Sequence, residues 1–534
     1  MYKVKPTEYW ELYKNGVDHH NNTKMYTEDE QCYDFYYGDH WKGAKLGNEK
    51  PPVLNFIKPI GKYKVAMIAQ NYMDVVFSDM NGNYPEITEM MSKSAATNWE
   101  VNKMDSYIWD IIKKAYITGD CYLYSFAELG PGINAKAKLK YRVIDRTNVY
   151  FSDEQNPDIN SQEWVILSEG RKPVAKLREI AKTNGLKEED VKKIVADTTD
   201  ETDLKENSSN EVKTPLGKCT SIIFMRKTSN GVEFCRSTEQ VIYEPMQTIK
   251  GLDIYPLVGY RWEDLINNAR GLSGVKYLIP TQIEVNSISF RRALATKKYA
   301  YPIMAYDGQA VTDVSGLDQP NARIKINNLA GNPVKSLIDY ISPQSQSPDA
   351  AKLQDEYISL TQTLEGAGDA ALGQIDPTQA SGEAIRAAKD QAAIPLNEQI
   401  SSYKQLREDI AYMDYKMKVA YSPDGLEVRY EDNGETVSEV IPQEVLQSLD
   451  LAIRIDVSPI DPYSKLAQET ALERLMTAGN ITFEEYVNLL DTSSTVPKAK
   501  LEQVIKSRVP EEVNPEMTGG LEDATNEMQF QEMY

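Results

Sequence analysis

The sequence predicts an α+β protein, and three observations carry that reading. Strand-like segments (121–129, which alternates apolar and polar residues, 141–152, 163–169 and several over 220–245) interleave with helical ones, as strands between helices do. Ile108, Ile111, Ile112 and Ala115 fall at i, i+3, i+4 and i+7, one buried face of a helix. Beyond residue 271 the order becomes helix, small insert, helix, glycine-containing loop, long helix. With 534 residues, 41% of them hydrophobic, the chain is long and apolar enough for three or four packing units.

A helix is expected near 7–15, a loop around 36–43, and the start of a folded unit at 55–78. Residues 86–118 read as one helix, stopped by Gly119-Asp120. The segments 121–129, 141–152 and 163–169 read as strands, and 173–186 as a short helix. The polar stretch 187–215 reads as an exposed helix end running into a mobile loop. Strands follow over 220–245, separated by turns such as Ser229-Asn230-Gly231, and 255–263 closes this unit. A helix spans about 272–299, continuous from about Pro280, because proline suits a first turn. The insert at 300–345 has room for three short strands, too few to stand alone. A helix from Ser347-Pro348-Asp349 to about Leu364 precedes the loop 366–379. A long helix then runs from Ser381 to about Tyr421, kinked at Pro395. Strands are expected over 428–459 and helices over 461–508. The segment after Arg508 carries seven acidic residues and no basic one, and reads as a disordered acidic tail.

The composition excludes several classes. There are 59 basic against 80 acidic residues, a net charge of −21. Such a surface repels DNA on average and argues against a sequence-reading DNA binder. It suits a wall along which DNA slides, positioned by a few basic side chains. No GxxxxGK[ST], GxSxG or HExxH motif occurs, so no catalytic residue and no cofactor is expected. Cys32, Cys121, Cys219 and Cys235 form no CxxC pair and are expected as free thiols. His19, His20 and His40 lie near Cys32 without metal-ligand spacing, and His19-His20 reads as an exposed pair in a polar loop. No apolar run of membrane-spanning length and no secretion signal are seen. The 33 tyrosines against 10 phenylalanines suit subunit contacts, although compositional drift is the simpler explanation. The pairs Arg291-Arg292 and Lys297-Lys298 end the first long helix. They complement its dipole and offer inter-subunit ion pairs, or, repeated around a ring, a collar of charge for a polyanion. Residues 380–384 (ASGEA) read as a capped helix entry, with a phosphate nest as the alternative.

This order resembles the portal protein of tailed double-stranded DNA bacteriophages. Two stretches carry the resemblance: YPLVGYRWEDLINNARGLSGVKYLIPTQIEVNSISFRRALATKKYAYPIM and QASGEAIRAAKDQAAIPLNEQISSYKQLREDI. In that family an apolar-aromatic strand, here Tyr255–Glu263, leads through a Gly-Ser turn, here Gly271-Leu272-Ser273-Gly274, into a stem helix. A Ser-Gly entry like Ser381-Gly382 opens the long wing helix. The resemblance implies a portal-type fold: wing 51–271, stem helix 272–299, clip 300–345, stem helix 346–365, tunnel loop 366–379, wing 380–460 with its long helix and strands, and crown 461–508. Residues 1–50 have no assigned role, and 509–534 is the acidic tail. It implies a homo-oligomeric ring of about twelve subunits at one capsid vertex, present in the virion and, during assembly, in the bacterial cytoplasm. The genome is packaged and ejected through such a ring. The implied partners are double-stranded DNA, the large terminase subunit, a head-tail adaptor, and the major capsid and scaffold proteins, with no membrane. Implied channel residues are Arg291, Arg292, Lys297, Lys298, Gly366, Gly368, Gln374 and Gln379. Implied clip docking residues are Tyr306, Asp307, Asp318, Arg323, Lys325 and Asn328. The alternatives are another oligomeric virion protein such as an adaptor, and a cytoplasmic enzyme of unknown class.

Overall fold

Two helices open the chain, the first of them expected from the sequence. In the computed structural model, α1 (Pro6–Asn22) and α2 (Met25–Tyr37) pack their aromatic residues inward. The structure describes residues 6–44, 50–70, 73–129, 137–197, 217–300, 303–309, 333, 338–341, 349–366, 394–422, 424–432, 435–449, 451–456, 472–479 and 481–489. The chain falls into two compact units, Met1–Ser458 and Pro459–Tyr534.

The first unit is built on two antiparallel sheets. Strands β2 (Asp120–Leu129) and β3 (Ala137–Asp145) pair with each other, and β2 also pairs with β9 (Leu257–Arg261). Strands β4 (Val149–Phe151), β5 (Trp164–Pro173), β6 (Lys218–Thr228), β7 (Gly231–Ser237) and β8 (Ile242–Lys250) form a five-stranded meander in sequence order. The main core lies against the smaller sheet. Its helices include α3 (Ile57–Ala69) and α5 (Met104–Thr118), with Ile108, Ile111, Ile112 and Ala115 fully buried as the periodicity predicts. One side of the meander is covered by α1, whose Tyr9 ring lies 4.1 Å from that of Phe224. Helices α6 (Val174–Thr183) and α7 (Glu188–Lys192) form a separate core with Cys219 and Tyr243.

A smaller lobe of the same unit joins β1 (Asp74–Asp79) and α4 (Pro85–Val101) to the far end of the sequence. Beyond the hairpin helices, α8 (Ile279–Ala300) and α9 (Asp349–Leu364), comes α10 (Asn397–Ala420). Strands β12 (Leu426–Asp432) and β13 (Glu435–Ile441) pair, and after α11 (Gln443–Ser448), β14 (Leu451–Asp456) pairs with β1. Phe77, Met91, Leu426 and Val428 fill its core. Between α8 and α9, β10 (Ile303–Tyr306) pairs with β11 (Ile338–Ile341). In the second unit, a helical segment at 472–477 packs with α12 (Phe483–Leu489) through Leu472, Met476, Tyr486 and Val487. Thr482 and Glu485 close a reciprocal capping box: Thr482 N donates to Glu485 Oε2 at 2.8 Å, and Glu485 N to Thr482 Oγ1 at 3.2 Å.

Several expectations are corrected. The helix read at 7–15 extends to Asn22 and is followed by a second. The loop read at 36–43 begins only at Gly38, whose φ of 98° ends α2. Residues 86–118 are two helices, because Lys103 takes a left-handed φ of 53°. The strand read at 141–152 is broken by a 3-10 turn, Arg146–Asn148, which sends β3 and β4 to different sheets. Pro395 lies in a 3-10 turn, Ile394–Leu396, ahead of α10, since proline has no amide hydrogen for an α-helical ladder. Of the three strands expected in the insert, two fall within the described residues. The loop 198–215, helix residues 381–393 and tail 509–534 lie outside them.

Candidate functional site

Gly271-Leu272-Ser273-Gly274, read as the turn into the stem, is anchored to the end of α5. Ser273 Oγ donates to the Ile117 carbonyl at 2.6 Å and accepts from the amides of Val275 (3.0 Å) and Lys276 (3.2 Å). It therefore caps the start of the helical segment leading to α8. Gly274 N donates to the Tyr116 carbonyl at 3.0 Å. Gly119, with φ +115°, faces Gly271 so closely that a Cβ on either would strike the other's carbonyl oxygen. Only glycine permits this backbone approach.

A buried charged hub lies beside that junction. Arg146 Nε donates to both carboxylate oxygens of Asp29, at 2.8 and 3.0 Å, and its Nη2 also bonds Asp29. Arg146 Nη1 lies 3.5 Å from Asp120 Oδ1. Arg270 donates to Glu154 through Nε and Nη2, both at 2.7 Å, and to the Val149 carbonyl at 2.7 Å. Its guanidinium sits 4.8 Å above the Phe151 ring. Asp120 Oδ1 accepts from Gly271 N at 3.2 Å. Against the cost of burial, Arg270 beside Glu154 holds that carboxyl well below the usual carboxylate range.

The hub corrects the reading of His19-His20 as an exposed loop pair. Both lie on α1, and His20 is fully buried. Arg270 Nη2 donates to His20 Nε2 at 3.1 Å. A guanidinium cannot accept, so this nitrogen carries a lone pair and the imidazole is neutral. Burial pushes the His20 pKa down. A base whose folded pKa is depressed contributes stability above its unfolded pKa of about 6.5 and loses it as the pH falls. The urea midpoint is therefore expected to fall between pH 7.5 and pH 5, and to fall less in His20→Gln. An unchanged slope in that variant removes His20 as a cause.

His40, from the unassigned N-terminal segment, and Leu54 and Phe56 just beyond it strap the base of α8. Gln282 Oε1 accepts from Phe56 N at 3.1 Å, and Gln282 Nε2 donates to the Leu54 carbonyl at 2.7 Å. Asn286 Oδ1 accepts from Leu54 N at 3.2 Å, and Asn286 Nδ2 donates to His40 Nδ1 at 2.7 Å. His40 Nε2 then donates to the Phe35 carbonyl at 2.8 Å. The far half of α8 emerges from this collar. There Arg291, Lys297 and Lys298 are exposed, and Arg292 Nη1 donates to Gln354 Oε1 of α9 at 2.7 Å. At the other end of α9, Glu365 pairs with Lys64 of α3.

On α9, Leu353, Leu360 and Leu364 are 43%, 59% and 75% exposed. Their spacing of i, i+7, i+11 puts them on one line along the helix. The same helix bears Asp349, Asp355 and Glu356 against one Lys352, whereas α8 bears the four basic residues against one Glu284. The hairpin thus presents a leucine stripe on the exposed face of its acidic helix, with the basic helix packed beside it.

Of the residues implied for clip and channel, Tyr306 is exposed, and Asp307 Oδ1 accepts from Gln309 N at 2.9 Å in a turn. Gly366, with φ 68°, ends α9. Gly368, Gln374, Gln379, Asp318, Arg323, Lys325 and Asn328 lie outside the described residues. All four cysteines are buried free thiols. Among the described residues, no group of three or more His, Cys, Asp and Glu is placed to hold a metal ion, and no helix is long and apolar enough to cross a membrane. Compared with known proteins, the chain matches no family model and no curated protein.

Proposed function

We propose that the chain is a portal subunit. On this reading copies of it form a head-to-tail ring at one capsid vertex, through which double-stranded DNA is packaged and later ejected. The observation that carries the reading is the α8–α9 hairpin. It has a fixed base, a small β insert at its tip (β10–β11), and an exposed leucine stripe on its acidic helix beside a basic one. A heterologous interface, in which one helix's surface meets a different surface on the next copy, closes into a ring when the rotation permits. Basic α8 against acidic α9 of a neighbour is such a pairing. The insert then projects at one end, where the large terminase subunit and afterwards a head-tail adaptor dock. The acidic balance suits a conduit whose energy comes from a separate motor, with the major capsid and scaffold proteins around it.

Electron microscopy of the purified full chain in negative stain tests this directly. Rings with a central hole are expected. A species that stays monomeric or dimeric at high concentration, alone and with the scaffold protein, removes the portal reading. A ring from which deletion of 300–345 leaves DNA packaging intact removes the clip assignment alone.

A further inference from the structure

The large core and the smaller lobe meet around a cavity of about 120 Å³ whose lining, among the described residues, includes none from the hairpin. Helices α4, α5 and α10 and strands β1 and β12 enclose it. Its body is apolar, formed by side chains such as Phe77, Met91, Ala411 and Val428, all nearly inaccessible to solvent. Polar groups converge on one side. The Arg407 guanidinium lies flat 3.8 Å over the Trp99 ring. Trp99 Nε1 donates to Asp105 Oδ1 at 2.7 Å, so the indole is held in place.

Asp414 is the unusual member. Its Oδ2 accepts from the Tyr141 hydroxyl at 2.7 Å, while its Oδ1 is buried with no hydrogen-bond partner. An unsatisfied buried acceptor costs free energy and rarely persists without a use. Burial raises the Asp414 carboxyl to about 6. Lys418, one helical turn on, lines the same cavity, and burial pushes its amine down.

We propose that this cavity binds a small uncharged molecule with a single ring-sized apolar body and one hydroxyl, which donates to Asp414 Oδ1. Three features set that class. An apolar cavity of about 150 Å³ holds a benzene ring, so the roughly 120 Å³ here limits the ligand to one ring at most. Asp414 Oδ1 is an acceptor left without a partner on the wall, so the ligand brings a donor to it. Asp414 and Lys418 oppose each other in charge, and an ionic ligand would leave a net charge buried. The proposal is independent of the ring reading, because the site lies within one copy.

Phenol and toluene, of nearly equal size, are the probes, titrated into the full chain by calorimetry and ligand-observed saturation-transfer NMR. Phenol is expected to bind saturably, and Asp414→Leu to weaken it at least tenfold while toluene is held as well or better. Ala411→Phe, which fills the cavity and keeps the carboxylate, is expected to abolish binding of both. The proposal falls if phenol does not saturate, or if its binding is unchanged in both variants. Should Asp414→Leu fail to fold, Ala411→Phe and the phenol response of the unmodified chain still decide.

Discussion

Arg146→Met is expected to lower the unfolding free energy by about 3–5 kcal/mol, the cost of removing one partner from a buried ion pair. The replaced guanidinium is bidentate to Asp29, lies beside Asp120, and faces the Gly271 carbonyl at 3.5 Å. Methionine fills much of the volume but leaves two carboxylates in a site where both are almost inaccessible to water. Lys14→Met is the control. Its partner Glu239 and Lys14 itself are both more than half exposed, and such pairs contribute about 0–1 kcal/mol. Denaturant unfolding of the two variants should separate them clearly. Adding Asp29→Leu to Arg146→Met should recover part of the loss, because the orphaned charge is then removed with its partner. A cost for Arg146→Met as small as that for Lys14→Met would mean that water reaches the hub, and that the N-terminal helices are not held by it. The hub matters beyond stability because Arg270 and Gly271 immediately precede the turn into α8. Loosening Asp29 or Arg146 frees the base from which the hairpin projects.

The elements legible in the sequence were those whose signal is local. The Ile108–Ala115 face, the stop at Gly119, and the helix from Asp349 to Leu364 follow from side-chain period and from glycine and proline chemistry. The hub was not legible, because its members come from positions 20, 29, 120, 146, 154 and 270. In a chain with 80 acidic residues, nothing in composition marks the three carboxylates that fold inward. One signal was present. Asp145 and Arg146 fall between the apolar pairs Val143-Ile144 and Val149-Tyr150, and a charge there is either an edge or a buried pair. The roles of Gln282 and Asn286 were hidden for the same reason: both face inward on a helix whose polar residues look like a solvated side. The leucine stripe was readable as spacing, but only the fold shows that Gln354 and Thr361 take the inner face and leave Leu353, Leu360 and Leu364 outside.

Replacing Leu353, Leu360 and Leu364 together with serine is expected to disperse the proposed ring while sparing the subunit. The three side chains are largely exposed in the single copy, so their loss should change folding by about 0.5 kcal/mol each or less. In an interface the same residues bury apolar surface worth about 25 cal/mol per Å². Covering about 40 Å² on each contributes about 1 kcal/mol per leucine, or about 3 kcal/mol per subunit contact. Each 1.4 kcal/mol is about tenfold in affinity, so every contact weakens by about 100-fold, and a closed ring suffers this at each interface. Sedimentation velocity should show the high-mass species replaced by single subunits with an unchanged thermal midpoint. Arg291→Ala with Lys298→Ala then separates the two uses of the basic helix. Arg292 is left alone because its bond to Gln354 holds the hairpin together. If the pair faces the acidic helix of a neighbour, the double variant weakens assembly, and added salt weakens the unmodified ring in the same way. If it faces the channel, rings form normally and DNA retention changes instead. A serine triple variant that still sediments as a ring would place the subunit contact elsewhere, and the hairpin would no longer carry the portal reading.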